Sequence, residues 1–199
     1  MTQRADRLRE TPSQTAGPYV HIGLTPASAD MRLELTELGI AIAGPGVSGE
    51  RIRVSGAVFD GTGAPVKDYL IEIWQADSKG TYAGSGDVDE GFTGWGRVAP
   101  DFGTGDFSFD TVKPGPVLLD DGRSMAPHLN LWLVARGINI GLNTRMYFGD
   151  ESDANAADPV LQMIEQEHRR KTLIAQKSKG VYRFDIFLQG SEETVFFDV

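Results

Sequence analysis

Apolar and polar residues alternate along several short stretches of the chain. The clearest is Arg51–Phe59, where Ile52, Val54, Gly56 and Val58 fall on one side and Arg51, Arg53 and Ser55 on the other. A period of two marks a strand with one buried face. The Asp-Gly-Thr-Gly-Ala-Pro-Val that follows is turn chemistry, and residues 70–75 (LIEIWQ) resume the strand pattern. Residues 106–112, 129–136, 144–148, 182–188 and 194–197 read the same way. Many short strands separated by turns predict an all-β fold, an antiparallel β-sandwich.

Helix is scarce. Asp158-Pro159 offers an N-cap with proline in the first turn, and Val160, Leu161, Ile164 and Leu173 supply apolar positions beyond it. This predicts a helix over 159–176, broken near His168, and a second short helix is read over 31–38. Residues 1–48 carry no strand pattern and are expected to form an extended N-terminal arm on the sandwich. Residues 49–199 form the sandwich, giving a single domain overall. Within the arm, the Pro- and Gly-bounded stretch from Thr11 to Tyr19 (TPSQTAGPY) reads as stiff and extended.

Composition narrows the chemistry. The 199 residues include no cysteine, which excludes disulfides, zinc-thiolate sites, iron–sulfur clusters and a cysteine nucleophile. There are 19 basic and 28 acidic residues, with no basic stripe, so a nucleic-acid partner is not expected. The charged start MTQRADRLRE lacks the apolar stretch of a secretory signal, and no run approaches a membrane span. A soluble cytoplasmic protein is the expectation.

Two motif-like stretches are set aside. Gly44-Pro-Gly-Val-Ser-Gly49 matches G-x-G-x-x-G by letter but precedes a strand and opens no helix, so it is a loop. The acidic Gly86–Glu90 stretch lacks the spaced oxygen ligands of a calcium loop. His168, in EQEHRRK, is read as an exposed histidine on a charged helix face.

Three stretches carry more. TPSQTAGPY could line a surface or merely cover a sheet edge. In IEIWQAD followed by Gly80 and Tyr82, the tyrosine sits just past a strand end, where periodicity alone does not choose between ligand, binding residue and surface. In MAPHLNLWLVAR, a strand beginning by His128 places His128, Asn130, Trp132, Val134 and Arg136 on one face. His128 and Arg136 would then lie roughly 26 Å apart, too far to serve one small pocket.

Taken together, TPSQTAGPYVHIGL, EIWQAD, VKPGP, MAPHLN, ARGINI and YRFDI occur in an order that closely resembles the intradiol aromatic-ring dioxygenases, from about Thr11 to the C-terminus. The resemblance implies the same β-sandwich, and in catalytic chains a non-haem Fe(III) held by two tyrosines and two histidines. Only half of that set is present. Tyr82 and His128 match, whereas Val117 stands at the second tyrosine, Asn130 at the second histidine, and Met125 where catalytic chains carry arginine. Valine has no lone pair and a neutral amide is a poor ferric ligand, so the chain's own metal site is expected to be vestigial.

The resemblance further implies a non-catalytic subunit that packs on a homologous iron-bearing beta subunit in a higher-order alpha/beta oligomer. The Fe(III) cofactor would be held by that partner. Thr15, Gly17 and Tyr19 of the arm, together with Arg136, would complete the mouth of the partner's active site. The implied substrates are O₂ and a small aromatic carboxylate, 3,4-dihydroxybenzoate, cleaved between its hydroxyl-bearing carbons. Arg136 would steer or pair with the carboxylate. Two other readings compete: a self-contained homo-oligomeric intradiol enzyme with an altered site, and a non-enzymatic β-sandwich binding module, since hairpin-rich sequences such as GAVFDGTGAPV also serve domains that do no chemistry.

Overall fold

The structure, a computed structural model, describes residues 14–31 and 37–198. The first described segment contains helix α1 (Pro18–Leu24) and a 3-10 turn (Pro26–Ala29). Strands β1 (Arg51–Phe59), β2 (Tyr69–Gln75), β3 (Trp95–Val98) and β4 (Asp106–Val112) follow. The hairpin β5 (Val117–Leu118) and β6 (Ser124–Met125) then leads into β7 (His128–Ala135) and β8 (Leu142–Phe148). Three short helices, α2 (Ser152–Ala157), α3 (Pro159–Met163) and α4 (Glu167–Lys171), precede β9 (Ile174–Ser178), β10 (Val181–Arg183) and β11 (Ile186–Phe187).

The all-β expectation holds, with one change: the sheet is mixed. Its order is β11-β1-β10-β9-β8-β7-β2-β3, with β4 on β1. The β1/β10, β1/β11 and β8/β9 pairings are parallel. A parallel pairing needs a long crossover, and α2 to α4 supply it between β8 and β9. β9 joins the two layers, pairing β8 through Ile174 and Ala175 and β10 through Gln176 to Ser178.

The core lies between these layers. Leu129, Leu131, Leu133 and Ala135 of β7 face Ile52, Val54 and Val58 of β1 and Ile71 and Ile73 of β2 in one buried cluster. Each of the Leu, Ile and Val side chains contributes about 1.5–3 kcal/mol through its removal from water. Strand alternation then sends His128, Asn130 and Trp132 to the opposite, outer face of the sheet.

Several predicted elements change. The stretch read as extended up to Tyr19 bends at Gly17 into α1, because Pro18 presets the helical φ at the first position. Thr11, Pro12 and Ser13 lie outside the described residues, as does most of the helix read over 31–38. The 159–176 helix is instead α3, α4 and β9, and the break falls at Ile164, whose backbone is extended, rather than near His168. The Asp158 cap is as read: its carboxylate accepts from the amides of Val160 and Leu161. Residues 182–188 split into β10 and β11 because the Asp185 carboxylate takes the Ala57 amide, interrupting the ladder. Residues 194–197 make only a bridge, Phe197 to Asn143, instead of a strand. No described helix is long and apolar enough to cross a membrane.

Candidate functional site

The loop after β2 is built around Asp77. Its carboxylate accepts from the amides of Lys79 and Thr81, while its carbonyl accepts from Gly80 and Gly115. Gly80 has φ +87°, and a Cβ there would sit 1.9 Å from the Pro116 carbonyl. Only glycine allows the loop to press against the Pro-Gly-Pro turn, and that approach delivers Tyr82 beside Val117. Val117 packs with Ala76 and Met125, and Tyr82 closes the cluster from outside.

The structure brings Tyr82, Val117, His128 and Asn130 together. The Tyr82 ring stacks on Trp74 with centroids 5.9 Å apart and planes 12° from parallel. The Nδ1 of His128 lies 2.7 Å from the Ala126 carbonyl, so Nδ1 carries the proton and Nε2 the lone pair. Tyr82 then donates its hydroxyl to that Nε2 at 3.2 Å, and accepts from the Asn130 amide at 3.0 Å. Asn130 also donates to the Trp74 carbonyl. Behind His128, the buried Asp158 accepts from the Ala126 amide and from the hydroxyl of Tyr147.

Burial pulls the His128 imidazolium down to about 4, and the cationic Arg145 nearby adds to this. Burial pushes the Tyr82 phenol up, against opposing pulls from Asn130 and Arg145. Both groups are therefore neutral at pH 7, and they are bonded to each other.

This donor set does not fit a ferric ion. Fe(III) is hard and favours anionic oxygen. The site offers one protonated phenol, one imidazole whose lone pair already accepts a proton, an amide presenting N–H, and valine methyls. Among the described residues no group of three or more His, Cys, Asp or Glu side chains could hold a metal.

The second predicted set is placed at the other end of β7. Arg136 follows the last residue of the strand, so His128 and Arg136 serve different places on the molecule. Thr15 Oγ1 accepts from the Gly137 amide at 2.7 Å and donates to the Ala135 carbonyl at 3.4 Å, bracketing Arg136. Arg136 pairs with Asp68, its Nε 2.6 Å from Oδ2, yet its side chain stays 70% exposed. Gly17 begins α1 with open space where a Cβ would lie, and Tyr19 is 83% exposed.

Sequence reasoning missed a cleft of about 560 Å³ on the outer sheet face, beside the Tyr82 cluster and sharing Trp74 and Asn130 with it. Trp95, Trp132 and Arg145 line it too, from β3, β7 and β8. The available signal was alternation: Arg145 lies two residues from Tyr147 in β8, as Asn130 lies two from His128 in β7.

Residues 36–190 match the family described as Dioxygenase. The chain is 50% identical over 195 residues to the protocatechuate 3,4-dioxygenase alpha chain of Pseudomonas putida, covering 96% of this chain and 97% of that one. It is 34% identical over 204 residues to the protocatechuate 3,4-dioxygenase beta chain of Burkholderia cepacia, covering 95% and 82%. Among solved structures, the dioxygenase domain of a dioxygenase–carbohydrate-binding fusion protein from Streptomyces sp. SirexAA-E superposes with TM-score 0.54 at 24% identity, covering 94% of this chain and all of that one. Matched along most of its length by both measures of sequence likeness, the chain belongs to the dioxygenase family that includes the protocatechuate 3,4-dioxygenase alpha and beta chains.

Proposed function

We propose that the chain is the alpha-type subunit of a heteromeric protocatechuate 3,4-dioxygenase, working in the cytoplasm. It pairs with a homologous beta chain that holds Fe(III), and the pairs assemble further. The complex cleaves 3,4-dihydroxybenzoate with O₂ to 3-carboxy-cis,cis-muconate. The observation that carries this reading is a contrast at one place in the fold: Tyr82 and His128 are bonded to each other, while Val117 and Asn130 beside them supply nothing a ferric ion can use. Full-length likeness to a named alpha chain supports the same reading, and it disfavours both the self-contained enzyme and the non-enzymatic module.

In this reading residues 1–48 form an arm that packs on the sandwich and on the partner, with residues 49–199 as the sandwich. Thr15, Gly17, Tyr19 and Arg136 line the mouth of the partner's active site. Two features support that role: Thr15 is tied to the turn after Arg136, and Tyr19 and Arg136 are exposed far beyond what a role within this chain requires. A cation presented at a rim attracts an aromatic carboxylate and pairs with it.

The test is iron content, visible absorption and O₂ uptake for the chain alone and for the chain co-expressed with a beta partner. A colourless, inactive chain alone, with colour and 3,4-dihydroxybenzoate-dependent O₂ uptake in the complex, is the expected result. A coloured, active chain alone would overturn the reading.

A further inference from the structure

All three tryptophans of the chain, Trp74, Trp95 and Trp132, line the same cleft. Register places them in two rows across the outer sheet face. One row runs Trp95, Trp74, Asn130, Arg145 across β3, β2, β7 and β8; the next runs Arg97, Glu72, Trp132, Asn143. In the second row the charges cancel, because Arg97 donates twice to Glu72, at 2.9 and 2.5 Å.

Arg145 differs. Its guanidinium makes only two long contacts, to Met125 Sδ and to the Tyr147 hydroxyl, both at 3.4 Å, and none of the ion pairs among the described residues includes it. A half-buried cation with no anionic partner is costly, and a guanidinium matches a carboxylate in a two-point fork. Trp74 and Trp132 are 41% and 37% exposed, so indole surface is left open next to that cation. Two strand spacings separate the Trp74 and Arg145 backbones, about 10 Å. A planar ring lying over Asn130 therefore reaches indole at one end and guanidinium at the other. A volume of about 560 Å³ suits a small molecule.

We propose that this cleft is a metal-independent binding site for a planar aromatic carboxylate, with the carboxylate on Arg145 and the ring against Trp74 and Trp132. The site is made of this chain's own residues, and only its occupancy in the assembled complex rests on the subunit reading. Ring hydroxyls are not needed, since the carboxylate and the ring face alone meet the guanidinium and the indoles. The carboxylate of Asp198, at the exposed edge of the cleft, opposes the bound anion.

Because every tryptophan lines the cleft, intrinsic fluorescence of the full chain reports on it selectively. The probes are benzoate, its neutral counterpart benzamide, and acetate, which is an anion without a ring. Benzoate is expected to change the emission saturably and to bind about tenfold or more tightly than either of the others, as a charge-assisted pair predicts. Arg145→Gln should weaken benzoate about tenfold and abolish the preference over benzamide, with an unchanged far-UV circular dichroism spectrum. Asp198→Asn, at an exposed position, should tighten benzoate a few-fold, and it serves as the test if Arg145→Gln fails to fold. Equal binding of benzamide or acetate, indifference to both substitutions, or no saturable change up to about 10 mM benzoate would overturn the proposal. In the assembled complex, equilibrium dialysis should count one fewer benzoate per alpha/beta pair when Arg145 is replaced. An equal count there means that the partner chain fills the cleft, and that too overturns it.

Discussion

Asn130 donates its side-chain amide to the phenol oxygen of Tyr82 across 3.0 Å. That single bond closes a network: Tyr82 passes its own proton toward His128, His128 is oriented by Ala126, and the Ala126 amide is held by Asp158. The Tyr82 hydroxyl, both ring nitrogens of His128 and the Asn130 amide N–H group all have protein partners, so the four residues form a neutral hydrogen-bond cluster. Its value to the chain is structural.

The first consequence is a pH dependence of folding. The imidazole of His128 titrates at about 4 in the folded chain against an ordinary 6.5, so between those values the unfolded chain binds the extra proton. The stability supplied by neutral His128 is complete above about pH 6.5 and drains away as pH falls toward 4. The full difference is on the order of 3 kcal/mol. Urea unfolding of the complete chain at pH 7.5 and pH 5 should show roughly 2 kcal/mol of this loss. His128→Asn, which keeps a donor for Ala126 but does not titrate, should flatten the slope in that window. A slope unaltered by the substitution would place the titrating group elsewhere.

Gly80 sets the position of Tyr82 from outside the network. Gly80→Ala puts a methyl 1.9 Å from the Pro116 carbonyl, in a backbone conformation at φ +87° that side chains avoid. The loop must shift, and the expected loss is about 2–4 kcal/mol. Near-ultraviolet circular dichroism should change with it, because Tyr82 leaves its stack on Trp74. A variant with unchanged stability and spectrum would show that the loop has room that the close approach denies.

These two residues show how legible the chain was. Strands with one buried face announced themselves: Ile52 and Val54 in β1, and Leu129, Leu131 and Leu133 in β7, follow the pleat. β3 was hidden because Gly94 and Gly96 look like turn chemistry, although Gly96 is where Ile42 packs too closely for any Cβ. β9 was hidden because only Ala175 of its residues is fully buried, and Ile174 and Ala175 follow directly on the apolar positions Val160, Leu161, Ile164 and Leu173 that read as one helix. Tyr82, Val117, His128 and Asn130 were singled out only through the resemblance to the intradiol dioxygenases, because periodicity alone left Tyr82 open. The row from Trp95 to Arg145 was not legible, since it exists only once four strands settle into register.

Asp158 was read as a helix cap and is also the anchor of the network. It is fully buried and accepts from three amides, those of Ala126, Val160 and Leu161, and from the Tyr147 hydroxyl. Asp158→Ala strands these donors away from water and removes the cap, at an expected cost of about 3 kcal/mol. Tyr147→Phe removes one donor and leaves the carboxylate its three amides, at a cost of about 1 kcal/mol. Thermal unfolding of both variants gives the order. Equal losses would mean that the hydroxyl, not the amides, holds Asp158.

Arg136 separates stability from activity. Its pair with Asp68 is exposed on the cation's side, and such pairs contribute under about 1 kcal/mol, so Arg136→Ala should leave unfolding of the chain nearly unchanged. In the complex with a beta partner the same change is expected to lower kcat/KM for 3,4-dihydroxybenzoate about tenfold, as the loss of a charge aimed at a carboxylate predicts. Catechol, which has no carboxylate, should lose little. If Arg136 acts by steering, the native complex also slows as salt rises and the variant does not, because screening removes what the substitution has already removed. A direct pair would keep most of its effect at high salt. An unchanged kcat/KM for the carboxylate substrate would remove Arg136 from the partner's active-site mouth and leave it as the exposed partner of Asp68.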